Sequence, residues 1–152
     1  MSFWDSLRIG ASGLNAQQLR LDIISNNIAN AETTHTAEGG PYKRQDVVFS
    51  APGQQSFLPS LVLARRNQTI TASNVGASGV QVSSVITSNE PGPKVYDPTN
   101  PDADKQGYVT YPNVDLVTEM TNMISATRSY EANLAAINAS KQMALQALNI
   151  GK

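Results

Sequence analysis

Apolar residues recur at helical spacing at both ends of the chain and lose that rhythm in between. Near the N-terminus Leu7, Leu14, Leu21 and Ile28 stand seven residues apart, with Ile24 and Ala31 at intermediate positions. This pattern predicts a helix with a coiled-coil-like seam from about Phe3 to about Ala31. Ser2 and Asp5 are placed to cap its start, and the acid suits a first turn. Gly10 and Gly13 lie in its first half, and each weakens a helix by about 1 kcal/mol relative to alanine. At the other end Pro112 and Asn113 form a helix start. Leu116, Met120, Met123, Thr127, Tyr130, Leu134, Ile137, Lys141, Ala144 and Leu148 then follow at steps of three and four, with Thr127 and Lys141 the weak members. Gly151 stands where a helix stop belongs. The predicted rod is roughly 54 Å long at 1.5 Å per residue. Globular helices average only about 11 to 12 residues.

Between Glu32 and Tyr111 glycine, proline and β-branched residues rise. PYKRQDVVF (Pro41 to Phe49), SLVLARR (Ser60 to Arg66) and GVQVSSVIT (Gly79 to Thr87) read as short strands. GQQSF (Gly53 to Phe57) and RNQTITASNVGASG (Arg66 to Gly79) read as mobile loops. NEPGPKVYDPTNPDADKQG (Asn89 to Gly107) reads as a proline-rich, extended connection. Neither helix can hide its stripe alone, so the two are expected to pair. The fold class is therefore α+β: long N- and C-terminal helices packed as a coiled-coil-like pair, a small β-rich middle and extended loops. Residues 1–31 and 113–152 form the expected helical assembly core, and 32–112 the β-rich insertion.

Charge changes this picture. Only 15% of residues are charged, against roughly 25% in ordinary soluble domains. On a helical wheel Asn15, Asp22, Asn26 and Asn30 lie on the back of the first helix, and Asn27 borders the seam. A solvated back would carry Lys and Glu pairs; this one carries amides, which donate and accept without charge. Thr121, Ser125, Ala132, Ala139 and Met143 line the back of the C-terminal helix, with Arg128 the main charge. The simpler alternative is that Asn26, Asn27 and Asn30 only cap one fraying end. That leaves the low charge of the other helix unexplained, so each helix is expected to use two faces, one for its partner and one for further copies. The candidate assembly interface is Leu7, Leu14, Leu21, Ile24, Asn26, Asn27, Ile28, Asn30, Leu116, Met120, Met123, Tyr130, Leu134, Ile137 and Leu148.

The rest of the composition points away from chemistry. A net charge of −1 gives no basic face for nucleic acid. The absence of cysteine excludes disulfides and thiolate metal sites. His35 is the lone histidine, in a polar loop without a candidate nucleophile. Glu119 and Glu131 do not form a carboxylate pair, so no enzyme, cofactor or small-molecule substrate is expected. DADKQG (Asp102 to Gly107) echoes a calcium loop, but Asn113 stands where the bidentate glutamate belongs and no helix precedes it. The polar faces lack the Lys and Arg of a membrane-surface helix. No apolar run reaches the about 18 residues of a membrane span. MSFWDSLRIGASGLNAQQ lacks the apolar core of a cleaved signal peptide, so none is expected.

ASGLNAQQLRLDIISNNIANAETT resembles the N-terminal signature of the bacterial flagellar rod and hook proteins, a helix ending in an SNNIAN-like stretch and a threonine. EMTNMISATRSYEANLAAINASKQMALQALNIGK resembles their C-terminal helix. AEGGPYKRQDVVF and KVYDPTNPDADKQGYVTYPNVDLVTEM narrow the likeness to proximal rod members; no family motif is recognised between Gln54 and Ser78. The resemblance implies a building block that polymerises helically into the hollow rod crossing the periplasm, its terminal helices lining the export channel. It implies partners: further copies, other rod proteins of the FlgB, FlgF and FliE types, and the flagellar type III export apparatus. It also implies export without a cleaved signal, for which a chain free of cross-links is suited. The alternative from a different class is a secreted coiled-coil adhesin or scaffold.

Overall fold

In the computed structural model, which describes residues 3–52 and 79–150, α1 spans Phe3–Ala29 and β1 Gln45–Ser50. β2 spans Gln81–Thr87, β3 Lys94–Tyr96, β4 Tyr108–Thr110 and α2 Leu116–Ile150. The expected strand at 60–66, the loop at 53–57, all but the last residue of the loop at 66–79, and the Ser2 half of the first cap lie outside the described residues. The α+β class holds: two long helices, of 27 and 35 residues, pack together beside short strands.

Both helix boundaries have a local cause. α1 ends at Ala29 because Asn30 begins a turn: its side-chain amide donates to Asn26 O at 2.9 Å, and its own carbonyl accepts Thr33 N at 3.1 Å. α2 begins at Leu116, later than the expected Pro112–Asn113 start, because Asp115 is the cap. Its carboxylate accepts Val117 N at 3.1 Å and the Thr118 hydroxyl, and its carbonyl accepts Glu119 N at 2.9 Å. Asn113 instead donates from its amide to Glu90.

Those bonds, first from the Thr118 hydroxyl and then from Val117 N, hold the Asp115 carboxyl below its ordinary range. A lowered folded-state pKa means that the stabilisation is present above the unfolded value of 3.8 and lost as the pH falls through the folded one. Asp115→Asn, which keeps a cap but not the charge, is expected to lose helicity less steeply in that acid window. An acid titration followed by circular dichroism checks it: parallel wild-type and variant curves would refute the role of the charge.

β1 and β2 pair in a two-stranded sheet. They start at Gln45 and Gln81, inside the longer stretches expected from the sequence. The connection expected to be merely extended contains β3, which pairs antiparallel with β4 in the register Lys94↔Thr110, Val95↔Val109, Tyr96↔Tyr108. Three residues are too few to show alternation, so only the partner strand reveals this one. The Tyr96 and Tyr108 rings meet edge to face across the pair at 5.3 Å.

The chain divides into two compact units. In the first, which among the described residues holds 3–16, 49–52, 79–83 and 130–150, Gly10 faces Ile137 and Gly13 faces Asn133. α1 and α2 therefore run antiparallel there. A Cβ on Gly10 would lie 2.6 Å from Ile137 Cγ1, and one on Gly13 2.9 Å from Asn133 Nδ2. The glycines that weaken an isolated helix thus permit its close packing. Ser12 Oγ accepts Val80 N at 3.0 Å, tying the chain before β2 to α1.

The second unit holds 17–48 and 84–129. Its core is Ile23 and Ile24 of α1, Val109 of β4 and Ala126 of α2, together with two polar residues, Asn27 and Glu119. The turn-rich loop after β3 satisfies itself: Asp97 accepts Thr99 N at 3.1 Å, and Asp104 accepts Gln106 N at 2.8 Å and Tyr108 N at 3.0 Å. Gly107, at φ 80°, supplies the left-handed residue that returns the chain into β4.

Candidate assembly surface

The burial of α2 follows two seven-residue columns. Glu119, Ala126, Asn133 and Ser140 form one, and Met123, Tyr130, Ile137 and Ala144 the other; all eight are buried or half-buried, as are Asn122 and Ser129 at the flank of the first column. The seam expected from hydrophobicity shares the second column only. Its remaining members, Leu116, Met120, Thr127, Leu134, Lys141 and Leu148, are exposed. The helix thus meets its own chain with small, polar and mixed residues and keeps a row of large apolar ones outside. In the second unit that outward row is Leu116, Val117, Met120 and Ile124, with Val117 73% exposed. In the first it is Leu134, Leu145 and Leu148, while Met143 is exposed on the opposite side of the helix.

On α1, Ile24 and Asn27 are buried, whereas Leu7, Leu14, Leu21, Ile28 and Asn30 are half-buried and Asn26 is exposed. The three asparagines therefore differ. Asn30 caps the helix end, and its Oδ1 accepts the Thr33 hydroxyl at 3.2 Å. Asn26 presents its side chain outward. Asn27 is only 1% exposed and uses its full bonding capacity. Its amide donates to Gln45 O at 2.8 Å and to Glu119 Oε2 at 3.3 Å. Its carbonyl accepts Gln45 N and the Tyr42 hydroxyl, both at 3.0 Å.

Glu119, also 1% exposed, accepts Arg44 Nε at 2.8 Å. Sequence reasoning set Glu119 aside only as forming no carboxylate pair with Glu131; in the structure it is one half of a buried ion pair. The Arg44 partner lies 75 residues away in sequence, so no local spacing announces it. Burial works against the Arg44 cation, but its bond to Glu119, helped by the charges of Glu119 and Asp46, raises its pKa. The Tyr42 hydroxyl is pushed up by burial and then by the Glu119 charge. This cluster joins α1, the turn before β1, β1 itself and the first turn of α2.

The other candidates have local roles. His35 is exposed, its Nδ1 3.9 Å from Asp102. Asp102 also accepts the Thr34 hydroxyl at 2.7 Å. Among the described residues no group of three or more His, Cys, Asp or Glu is arranged to hold a metal, and no helix is long and apolar enough to cross a membrane. A depression of about 470 Å³ is lined by Thr36, Glu38, Tyr42, Lys43, Gln45 and Thr87, which present no nucleophile paired with a base.

The helical ends match two families of flagellar basal-body rod proteins, which places the chain among the structural proteins of the flagellar axis. Residues 7–34 match the flagella basal body rod protein family, and residues 105–150 the C-terminal family of flagellar basal body rod FlgEFG proteins. The likeness then extends to whole proteins. Flagellar basal-body rod protein FlgC of Bacillus subtilis (strain 168) is 42% identical over 156 residues, covering all of both chains. The FlgC of Borreliella burgdorferi is 43% identical over 160 residues, covering 99% of this chain and 98% of its own. That of Salmonella typhimurium is 39% identical over 155 residues, again covering all of both. The chain belongs to the FlgC family of flagellar basal-body rod proteins. Full-length likeness to rod proteins leaves the adhesin alternative unsupported.

Proposed function

We propose that this chain is a non-enzymatic building block of the proximal rod, where it assembles helically with further copies and with rod proteins of the FlgB, FlgF and FliE types. Residues 1–31 and 113–152 form the assembly core of the hollow shaft, which transmits torque and encloses the export channel; 32–112 is the insertion projecting from it. The chain reaches this place, spanning the periplasm, through the flagellar type III export apparatus and without a cleaved signal. One observation carries the reading: α2 meets its own chain through a polar and small column, Glu119 to Ser140, and an apolar one, Met123 to Ala144, and still turns Leu116, Met120, Leu134 and Leu148 outward. An isolated soluble protein gains nothing from such a row, whereas a subunit buries it against its neighbours. Leu7, Leu14, Leu21, Ile24, Asn27, Ile28, Asn30, Met123, Tyr130 and Ile137 complete the interface by shaping the pair that presents it.

Asn26 supplies the test, because its side chain is exposed in the single chain. Asn26→Lys is expected to leave the melting curve of the purified protein unchanged. In a rod the new charge would be buried at every copy, at several kcal/mol per site without a partner. Cells lacking the protein, complemented with wild type or with Asn26→Lys, are examined for rods in isolated basal bodies. Rods with wild type and none with the variant support the reading. Complete rods in uncomplemented cells would remove it, and rods carrying Asn26→Lys would take Asn26 out of the interface.

A further inference from the structure

We infer that the buried Asn27–Glu119 pair is a register lock: it selects one of several apolar-equivalent alignments of α1 on α2. Both helices repeat at seven residues. α1 carries Leu7, Leu14, Leu21 and Ile28, and α2 turns Met123, Tyr130, Ile137 and Ala144 inward. Sliding one helix past the other by seven residues, about 10.5 Å, still sets apolar side chains against apolar ones. Hydrophobic burial is nearly indifferent to that choice, because it is non-directional.

The polar pair is not indifferent. Asn27 has four bonds that depend on Gln45, Tyr42 and Glu119 together. A slide in one direction leaves Glu119 level with chain beyond the end of α1. A slide in the other sets it level with Arg20, removes it from Arg44 and takes Asn27 past the start of α2. Both take Glu119 from the Asn27 amide; the second offers the carboxylate Arg20 in place of Arg44, but neither restores the amide's bond, which no rearrangement of apolar neighbours repairs. The rival device is the glycine notch at Gly10 and Gly13. There the nearest atoms belong to the side chains of Ile137 and Asn133; the Asn133 amide can turn aside for a misaligned neighbour, whereas Ile137 Cγ1 sits on a stiff β-branched side chain, so the notch selects by shape where the polar pair selects by bonding. Bonding demands particular partner atoms, so we assign the discrimination to the buried polar pair, as to a buried asparagine in coiled coils.

Register fixes which outward residues of α1, such as Asn26, stand beside which outward residues of α2, such as Met120 and Ile124. That consequence rests on the proposed assembly role. The register itself is measured on the isolated chain, so failure of one does not count as failure of the other.

The chain contains no cysteine, so pairs of spin labels can be placed on the full-length protein at exposed Ser25 together with Thr121 or Arg128. Wild type is expected to give one distance for each pair. In the variant Asn27→Leu with Glu119→Leu, which fills the site with apolar groups, the melting transition should persist and a second distance population should appear. A single wild-type distance in that variant overturns the lock and assigns register to the notch. In a second variant, Glu119→Leu with Ala126→Glu, the acid moves by seven residues. Asn27 regains it only if α2 slides, which shortens the Ser25–Arg128 distance and lengthens Ser25–Thr121. Unchanged distances in this variant overturn the inference. So does loss of folding in both variants, because a pair whose replacement abolishes the fold is a support and not a selector.

Discussion

Glu119→Ala is expected to lower the stability of the isolated protein by about 3 kcal/mol, the lower end of the range for breaking a buried ion pair. The lower end applies because Arg44 is 28% exposed on its side chain and keeps Asp46 at 3.5 Å. For a chain of this length that corresponds to a melting temperature lower by roughly 6–12 °C. The cause is the uncompensated charge left behind together with a lost acceptor for the Asn27 amide. Glu119→Gln, which retains an acceptor for Arg44, should lose less.

An alkaline signature accompanies the change. Burial, then the Glu119 charge, raises the Tyr42 pKa. A raised folded-state value means that this contribution is fully present below the unfolded pKa of 10.0 and lost as pH rises through the folded value. Removing Glu119 removes one of the two causes, so the alkaline loss of stability should be shallower in Glu119→Ala. Thermal melts at neutral and alkaline pH check both statements. A loss below about 1 kcal/mol at neutral pH, typical of an ordinary surface change, would mean that the pair is not holding the unit together.

Leu134→Asp is expected to abolish rods while leaving the single chain intact. Leu134 is 43% exposed, so its replacement should alter the stability of the isolated protein by about 0.5 kcal/mol or less. Buried between subunits, even Leu134→Ala would cost about 2–5 kcal/mol at each copy, and a carboxylate more. The penalty is repeated around the rod, so partial assembly is not expected. Secretion of the variant should continue, because its chain can still be threaded. Three measurements separate the outcomes: the melting curve of the purified chain, basal bodies seen by electron microscopy, and swimming in soft agar. Normal swimming with Leu134→Asp would place this residue outside every subunit contact. A lowered melting temperature would place it in the core of the single chain.

These two residues mark where pattern reading succeeded and where it stopped. Hydrophobic spacing located both helices, and the end of α1 at Ala29 and the start of α2 at Leu116 lie within a few residues of their expected places; the expected stop at Gly151 lies outside the described residues. It also selected Met123, Tyr130 and Ile137, which do turn inward. It chose the wrong flank beside them, taking Met120 and Leu134 where the chain uses Glu119 and Asn133. The error has a definite origin. Hydrophobicity reports what is buried somewhere, and in a subunit the larger apolar residues need not be buried within the same chain. Position alone did not separate the roles of Asn26, Asn27 and Asn30 either, because a capping amide, an outward amide and a fully bonded core amide have the same composition.

The sequence by itself determined the two long helices, the poverty of charge and the kinship with rod proteins, because periodicity, composition and motif are local properties written in adjacent residues. Tertiary structure alone decided the partners of Asn27 and Glu119, the pairing of β3 with β4 and the side of α2 that meets its own chain. Each of these depends on groups distant in sequence. Gln45 lies 18 residues from Asn27, Glu119 lies 92 residues from it, and Arg44 lies 75 from Glu119. Long-range bonds between buried polar groups require particular atoms at particular distances, and a repeat of seven residues carries no record of which atoms those are.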